Sequence, residues 1–125
     1  MTPSNDLRVD YIEFATRDVA AAKKFYASAF GWAFTDYGPD YTSFADGRLT
    51  GGFRADDTAP AKTNPLVVIF ATELERAEAA VIAAGGEIVV ATHEFPGGRR
   101  FHFADPTGLE LAVWSDRRAD GSKIG

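Results

Sequence analysis

Glu13 stands in the middle of the alternating run Val9-Asp-Tyr-Ile-Glu-Phe-Ala15. A carboxylate in mid-strand is costly unless it is paired or solvated. Side chains two apart on a strand share a face, so Glu13 lies beside Tyr11. Two further polar groupings follow the same alternation: Arg100 and His102 lie opposite Phe101 and Phe103, and Glu110 and Trp114 flank Ala112. Their chemistry is that of acid–base work. A carboxylate can take a proton or accept a ligand's hydrogen bond, an imidazole exchanges protons near neutral pH, and Arg or Tyr can stabilise an oxyanion. Tyr11, Tyr41, Phe53 and Trp114 supply rings on which a planar molecule could stack.

A plainer reading stands beside each of these. Glu13 could pair with Arg100 or another cation, or point to water. His102 could be a structural histidine, and the aromatics could fill a core or a subunit interface. His93 is expected to be exposed, and Trp32 in Phe30-Gly-Trp32 to be structural.

The elements that must position these residues come in a repeated order. The Val9–Ala15 strand is followed by Asp18 as a helix N-cap. Val19, Ala22, Phe25, Tyr26, Ala29 and Phe30 then recur at helical spacing up to the stop at Gly31. Strands are expected over Trp32–Tyr37, Tyr41–Ala45 and Leu49–Phe53, with Asp46-Gly47 turning the last hairpin. The order restarts at Leu66–Ala71. Thr72-Glu-Leu-Glu75 has capping-box spacing, and Leu74, Ala77, Val81 and Ala84 form a second helical stripe ended by Gly85-Gly86. Strands follow at Glu87–Thr92, Arg100–Ala104 and Leu109–Trp114, with the turn Asp105-Pro-Thr-Gly108 before the last. The loop Glu94-Phe-Pro-Gly-Gly98, with two glycines, could act as a flexible flap over a cavity.

Tyr11 falls on Leu66, Asp18 on Glu73 and Gly31 on Gly86 at a shift of 55, and Phe44-Ala-Asp46 matches Phe103-Ala-Asp105 at a shift of 59. Concordant helix stops and a repeated tripeptide indicate duplication. The expected organisation is one domain over 1–125: a first module at about 7–54, a linker at 55–64, a second module at about 65–116, and a loose polar tail at 117–125.

Composition narrows the function classes. The net charge is −5 with 25% charged residues, and the basic side chains come as singles or pairs, which argues against a nucleic-acid or anionic-membrane surface. There is no cysteine, so thiolate metal sites, disulfides and a Cys nucleophile are excluded. With no apolar leader among the first residues and no long apolar run, a cytoplasmic setting is expected.

The first-helix run Asp18-Val-Ala-Ala-Ala-Lys-Lys-Phe-Tyr26, the closing Phe30-Gly-Trp32, then Gly51-Gly-Phe53, Gly85-Gly86 and Phe103-Ala-Asp-Pro-Thr-Gly108 together resemble the vicinal oxygen chelate superfamily. Its members include glyoxalase I, bleomycin-resistance proteins and extradiol dioxygenases. The likeness covers roughly residues 8 to 116. It implies an α+β fold of two tandem βαβββ modules whose curved mixed sheet cups a cavity, and a homodimer with the cavity at the interface. In metal-dependent members one ligand (His, Gln or Glu) comes from the first and one from the last strand of each module. Carried over by motif, these positions are Tyr11, Leu66, Ala112 and Gly51, with a latitude of one or two places at Gly51. Tyr is an occasional iron ligand, but Leu, Ala and Gly side chains offer no donor. A register error of one gives Asp10 or Ile12, Thr50 or Gly52, Pro65 or Val67, and Leu111 or Val113, and does not restore a site. No metal and no other cofactor is expected.

Three functions fit. A metal-independent binding protein would hold a small aromatic or amphipathic molecule with Tyr11, Tyr41, Phe53, Arg100 and Trp114, and the acidic balance suits a cationic ligand. A metal-independent lyase or isomerase would use Glu13 as base and His102, Arg100 or Tyr11 to stabilise an enediolate. A structural module would keep only the dimer surface.

Overall fold

The computed structural model describes residues 5–58, 65–106 and 109–125. Residues 59–64 of the expected linker, and Thr107 and Gly108 of the turn after Asp105, lie outside the described residues. The element order is β1 (Arg8–Thr16), α1 (Val19–Phe30), β2 (Ala33–Asp36), β3 (Tyr41–Ala45), β4 (Thr50–Ala55), β5 (Leu66–Phe70), α2 (Leu74–Ala83), β6 (Glu87–Phe95), β7 (Gly98–Ala104) and β8 (Glu110–Ser115). This is an α+β fold of two tandem βαβββ modules. The chain divides into two compact units, one of Tyr11–Leu66 and the other of Val67–Gly125 with the residues up to Asp10.

In the first unit the strands lie in the order β2-β3-β4-β1. β1 runs parallel to β4, while β2, β3 and β4 pair antiparallel. A parallel pair needs a crossover, and α1 is part of it. Asp18 starts the helix by accepting a hydrogen bond from the Ala21 amide at 2.9 Å. Gly31 ends it with φ 72°, a left-handed conformation that costs glycine nothing. Only part of the expected stripe is covered: Val19 is buried and Tyr26 half-buried, whereas Phe25 and Phe30 stay exposed. The core is aromatic. The Phe53 ring lies 5.4 Å from Phe14, 5.3 Å from Tyr26 and 5.6 Å from Phe44, and Trp32 stacks on Tyr26 at 4.8 Å and on Phe44 at 4.6 Å.

In the second unit the order β5-β8-β7-β6 repeats this arrangement, with β5 parallel to β8 and the rest antiparallel. Its core gathers Ala71, Leu74, Ala77, Phe101 and Val113 beneath α2, with Phe103 packed alongside. In both repeats of Phe-Ala-Asp the aspartate side chain accepts from a backbone amide of the segment that follows it. Asp46 Oδ1 accepts from the Arg48 and Leu49 amides at 2.8 and 2.6 Å, and Asp105 Oδ1 accepts from the Leu109 amide at 3.0 Å.

Three expectations are corrected. The capping box at Thr72 does not form. Glu73 is the N-cap residue and makes no side-chain cap, because the Glu75 carboxylate is drawn to the Arg99 guanidinium at 2.5 and 3.0 Å. The Glu94–Gly98 segment is a strand end and a hairpin turn, where an irregular loop was expected. β6 continues to Phe95, Phe95 pairs with Gly98, and Pro96-Gly97 with Gly97 at φ 93° makes the turn. The polar tail is tied down: Ile124 N donates to Asp116 O at 2.7 Å, Arg117 bridges to Lys123, and Arg99 Nε donates to Arg117 O at 2.8 Å.

Candidate functional site

Each sheet has one face against its helix and one face away from it. In the first unit, strand register decides which side chains share the second face. Glu13 pairs with Gly52, which pairs with Ser43, and residues directly opposite on paired strands point the same way. Tyr11, Glu13, Tyr41, Gly52 and Arg54 therefore lie on the face away from α1. Ile12, Gly51, Phe53 and Phe44 lie on the helix face. Phe53, expected among the ligand-facing aromatics, does not join Tyr11 and Tyr41; it is 4% exposed within the aromatic core.

Glu13 is the centre of a buried polar network, itself only 6% exposed. Its Oε1 lies 3.4 Å from Arg54 Nε, and its Oε2 accepts a hydrogen bond from the Tyr41 hydroxyl at 3.1 Å. The Tyr41 and Tyr11 hydroxyl oxygens are 2.5 Å apart. Arg54 also reaches Asp56 at 3.2 Å. Glu13 is thus paired, with Arg54 as the cation. Burial first, then the adjacent Glu13 charge, pushes the Tyr41 phenol far above its ordinary range and keeps it protonated.

The same ladder corrects a register. Glu13 facing Gly52 on parallel β1 and β4 is the counterpart of Val68 facing Ala112 on parallel β5 and β8. The first-module equivalent of Ala112 is thus Gly52, one place beyond Gly51. A Cβ at Gly52 would collide with the Tyr41 hydroxyl and come within 2.6 Å of the Tyr11 hydroxyl. The two phenols occupy the room that a ligating side chain would need. With Leu66 and Ala112 both buried and without donor atoms, the four positions do not fit a divalent cation. Among the described residues, no group of three or more His, Cys, Asp or Glu is placed to hold one.

In the second unit Phe101 and Phe103 pack towards α2, so Arg100 and His102 lie on the opposite face, as the alternation predicts. His102 Nδ1 is 2.9 Å from Glu110 Oε2, and the rings of His102 and exposed His93 are 6.1 Å apart. The Arg100 guanidinium lies over the Phe95 ring at 5.9 Å. Trp114 Nε1 donates to Asp10 Oδ2 at 2.9 Å, and its ring meets Phe70 edge-on at 5.2 Å. Glu13 belongs to the first unit, His102, Arg100 and Trp114 to the second. Sequence reasoning missed Arg54 and named Gly52 and Asp10 only as register alternatives. Arg54 and Gly52 follow from one register choice, since both sit at even spacing on β4.

Burial lowers the His102 pKa; the Glu110 hydrogen bond opposes it, and the Arg100 and His93 charges reinforce it. The imidazole is therefore held toward its neutral form. An unfolded chain takes up this proton near pH 6.5, the folded protein only at lower pH. Below about pH 6.5 the unfolded state binds more protons, and stability falls as pH drops. Urea unfolding at pH 7.5 and 5.5 is expected to show a larger loss for the wild type than for His102→Gln. Equal losses would show that His102 is not the group responsible.

The chain matches the Glyoxalase/Bleomycin resistance protein/Dioxygenase superfamily over residues 8–113. Anthracycline biosynthesis protein DnrV of Streptomyces peucetius is 30% identical, with 91% of this chain and 49% of that protein covered. The chain thus spans about half the length of the curated relatives it matches. Among solved structures, the Mn(II)-bound glyoxalase from Novosphingobium aromaticivorans aligns over 94% of this chain and 40% of its own, with a TM-score of 0.64 at 24% identity. Methylmalonyl-CoA epimerase from Mycobacterium tuberculosis aligns over 91% and 92%, with a TM-score of 0.69 at 12% identity. Those two likenesses concern the fold. No helix among the described residues is long and apolar enough to cross a membrane. On the family match over 8–113, the chain belongs to the Glyoxalase/Bleomycin resistance protein/Dioxygenase superfamily.

Proposed function

We propose that this protein binds a small organic molecule, without the divalent cation of the family's metal-dependent members, on the sheet faces turned away from the helices. The observation that carries this reading is Gly52. Where a last-strand ligand would project, the chain has no side chain, and the Tyr11 and Tyr41 hydroxyls fill the space. In the first unit a planar aromatic or amphipathic ligand suits the rings of Tyr11 and Tyr41; in the second, Trp114 offers a ring and Arg100 a polar contact. The name of the relative DnrV points to anthracyclines, which are planar fused-ring molecules. A homodimer with the cavity at its interface, in the cytoplasm, belongs to the same proposal.

A panel of planar aromatic and amphipathic compounds, screened by thermal shift and confirmed by calorimetry, tests the reading. At least one compound is expected to raise the Tm, and Tyr41→Phe to weaken its binding. No shift across the panel, with protein shown to be folded, would sink it.

The second reading is a metal-independent lyase or isomerase. It draws support from His102, whose burial keeps the imidazole neutral and able to accept a proton. Against it stands Glu13, already engaged by Arg54 and Tyr41. Glu13→Gln should abolish any turnover under this reading; retained turnover would exclude Glu13 as the base.

A further inference from the structure

Two histidines of the second unit have their tautomers fixed by the atoms they meet, and the tautomers name a ligand group. His93 pairs with Arg100 across β6 and β7, and residues directly opposite point the same way. His93 and His102 therefore share the face turned away from α2, with their rings 6.1 Å apart. His102 Nδ1 stands 2.9 Å from Glu110 Oε2. A carboxylate only accepts, so Nδ1 carries the proton and Nε2 keeps its lone pair. At the sheet edge His93 repeats the device: its Nδ1 lies 3.1 Å from the Ala91 carbonyl oxygen, another acceptor. Among the described residues neither Nε2 has a hydrogen-bond partner, and that of His102 is not sealed from solvent.

We infer that His102 Nε2 accepts a hydrogen bond from a neutral aromatic hydroxyl, so that the ligand of the second unit is a phenol. The inference rests on the small-molecule-binding reading above and deepens it. Charge selects the neutral donor. The Glu110 carboxylate behind the imidazole repels an acidic ligand, and the Arg100 charge beside it repels an ammonium. Burial holds the imidazole toward its uncharged form and leaves the lone pair available. Among neutral donors a phenol is more acidic than an alcohol or an amide, and the carboxylate on Nδ1–H makes Nε2 the more basic acceptor. A phenol also brings the ring for which Trp114, opposite Arg100 on β8, offers a stacking partner.

Four substituted benzenes separate the possibilities: phenol, anisole without the hydroxyl proton, benzoate with a carboxylate, and benzylamine with an ammonium. Their affinities are measured by NMR titration of the full chain at neutral pH. Phenol is expected to bind about tenfold more tightly than anisole, as one added hydrogen bond implies, and more tightly than either charged ring. His102→Phe should bring phenol down to the level of anisole. Should that variant fail to fold, long-range proton–nitrogen NMR of the wild type decides, because the chain has only two histidines to assign. The His102 ring is expected to be neutral and protonated at Nδ1, and phenol to shift its Nε2 resonance. A proton on Nε2, equal binding of phenol and anisole, or tightest binding of benzoate or benzylamine overturns the inference and leaves the binding reading standing. An undiminished phenol preference in His102→Phe does the same. If none of the four binds at millimolar concentration while other planar compounds do, the inference falls alone. If no compound of any class binds, both fall.

Discussion

Phe53→Ala is expected to lower the unfolding free energy by about 3–5 kcal/mol, the range for removing a buried aromatic ring from a packed core. Phe53 is 4% exposed, and its ring is held by Phe14, Tyr26 and Phe44 at 5.3 to 5.6 Å. No single neighbour can collapse into the space, because the surrounding rings are themselves stacked on one another. With native stabilities of only about 5–15 kcal/mol, the variant should be close to unfolding at room temperature. Phe53→Leu keeps most of the volume and should cost clearly less. Urea denaturation of both variants checks this. If Phe53→Ala were near neutral in stability but abolished ligand binding, Phe53 would line the ligand site after all, and the register of β4 would be off by one.

The adjacent glycines make the same point by a different route. A Cβ at Gly51 would run into the backbone carbonyl oxygen of Ile12 and the ring of Phe44. The Ile12 carbonyl belongs to β1, which pairs with β4 at this position, and cannot step aside without breaking the ladder. Gly51→Ala is expected to cost about 3 kcal/mol or more, at the upper end for overpacking. A Cβ at Gly52 instead meets the ends of two tyrosine side chains, which can swing away. Gly52→Ala should cost about 1–2 kcal/mol and remain folded, but it should break the Tyr41–Glu13 hydrogen bond and weaken ligand binding. Thermal denaturation and calorimetry on the pair give the test. A Gly52→Ala protein with unchanged ligand binding would contradict the role given to the tyrosine pair.

Much of the fold was legible because local signals agreed with one another. Asp18 and Gly31 bound the first helix as their chemistry predicts, the aspartate of each repeated Phe-Ala-Asp accepts a backbone amide just beyond it, and the alternation at 100–103 put Phe101 and Phe103 on the helix side. What could not be read depended on partners distant in sequence. Thr72-Glu-Leu-Glu75 has the spacing of a capping box, yet Glu75 binds Arg99, 24 residues away, and a bidentate charged pair outcompetes a local cap. Gly51 or Gly52 as the equivalent of Ala112 was a matter of ladder register between strands joined through a helix and two turns, and a shift of one exchanges the faces. The position of Phe53 and the partnership of Glu13 with Arg54 both follow from that single choice. At Phe95-Pro-Gly-Gly98, composition alone suggests mobility, but three added residues of β6 make it a tight turn.

The most direct measurement is elemental analysis of the purified protein after incubation with Ni, Zn, Co, Fe and Mn salts and exhaustive dialysis. Tyr11, Gly52, Leu66 and Ala112 supply at most one weak donor among them, so well under one ion per chain is expected in every case. One tightly retained ion per chain would contradict the proposed metal-free site, and Glu13, His102 and Glu110 would then be the first side chains to replace.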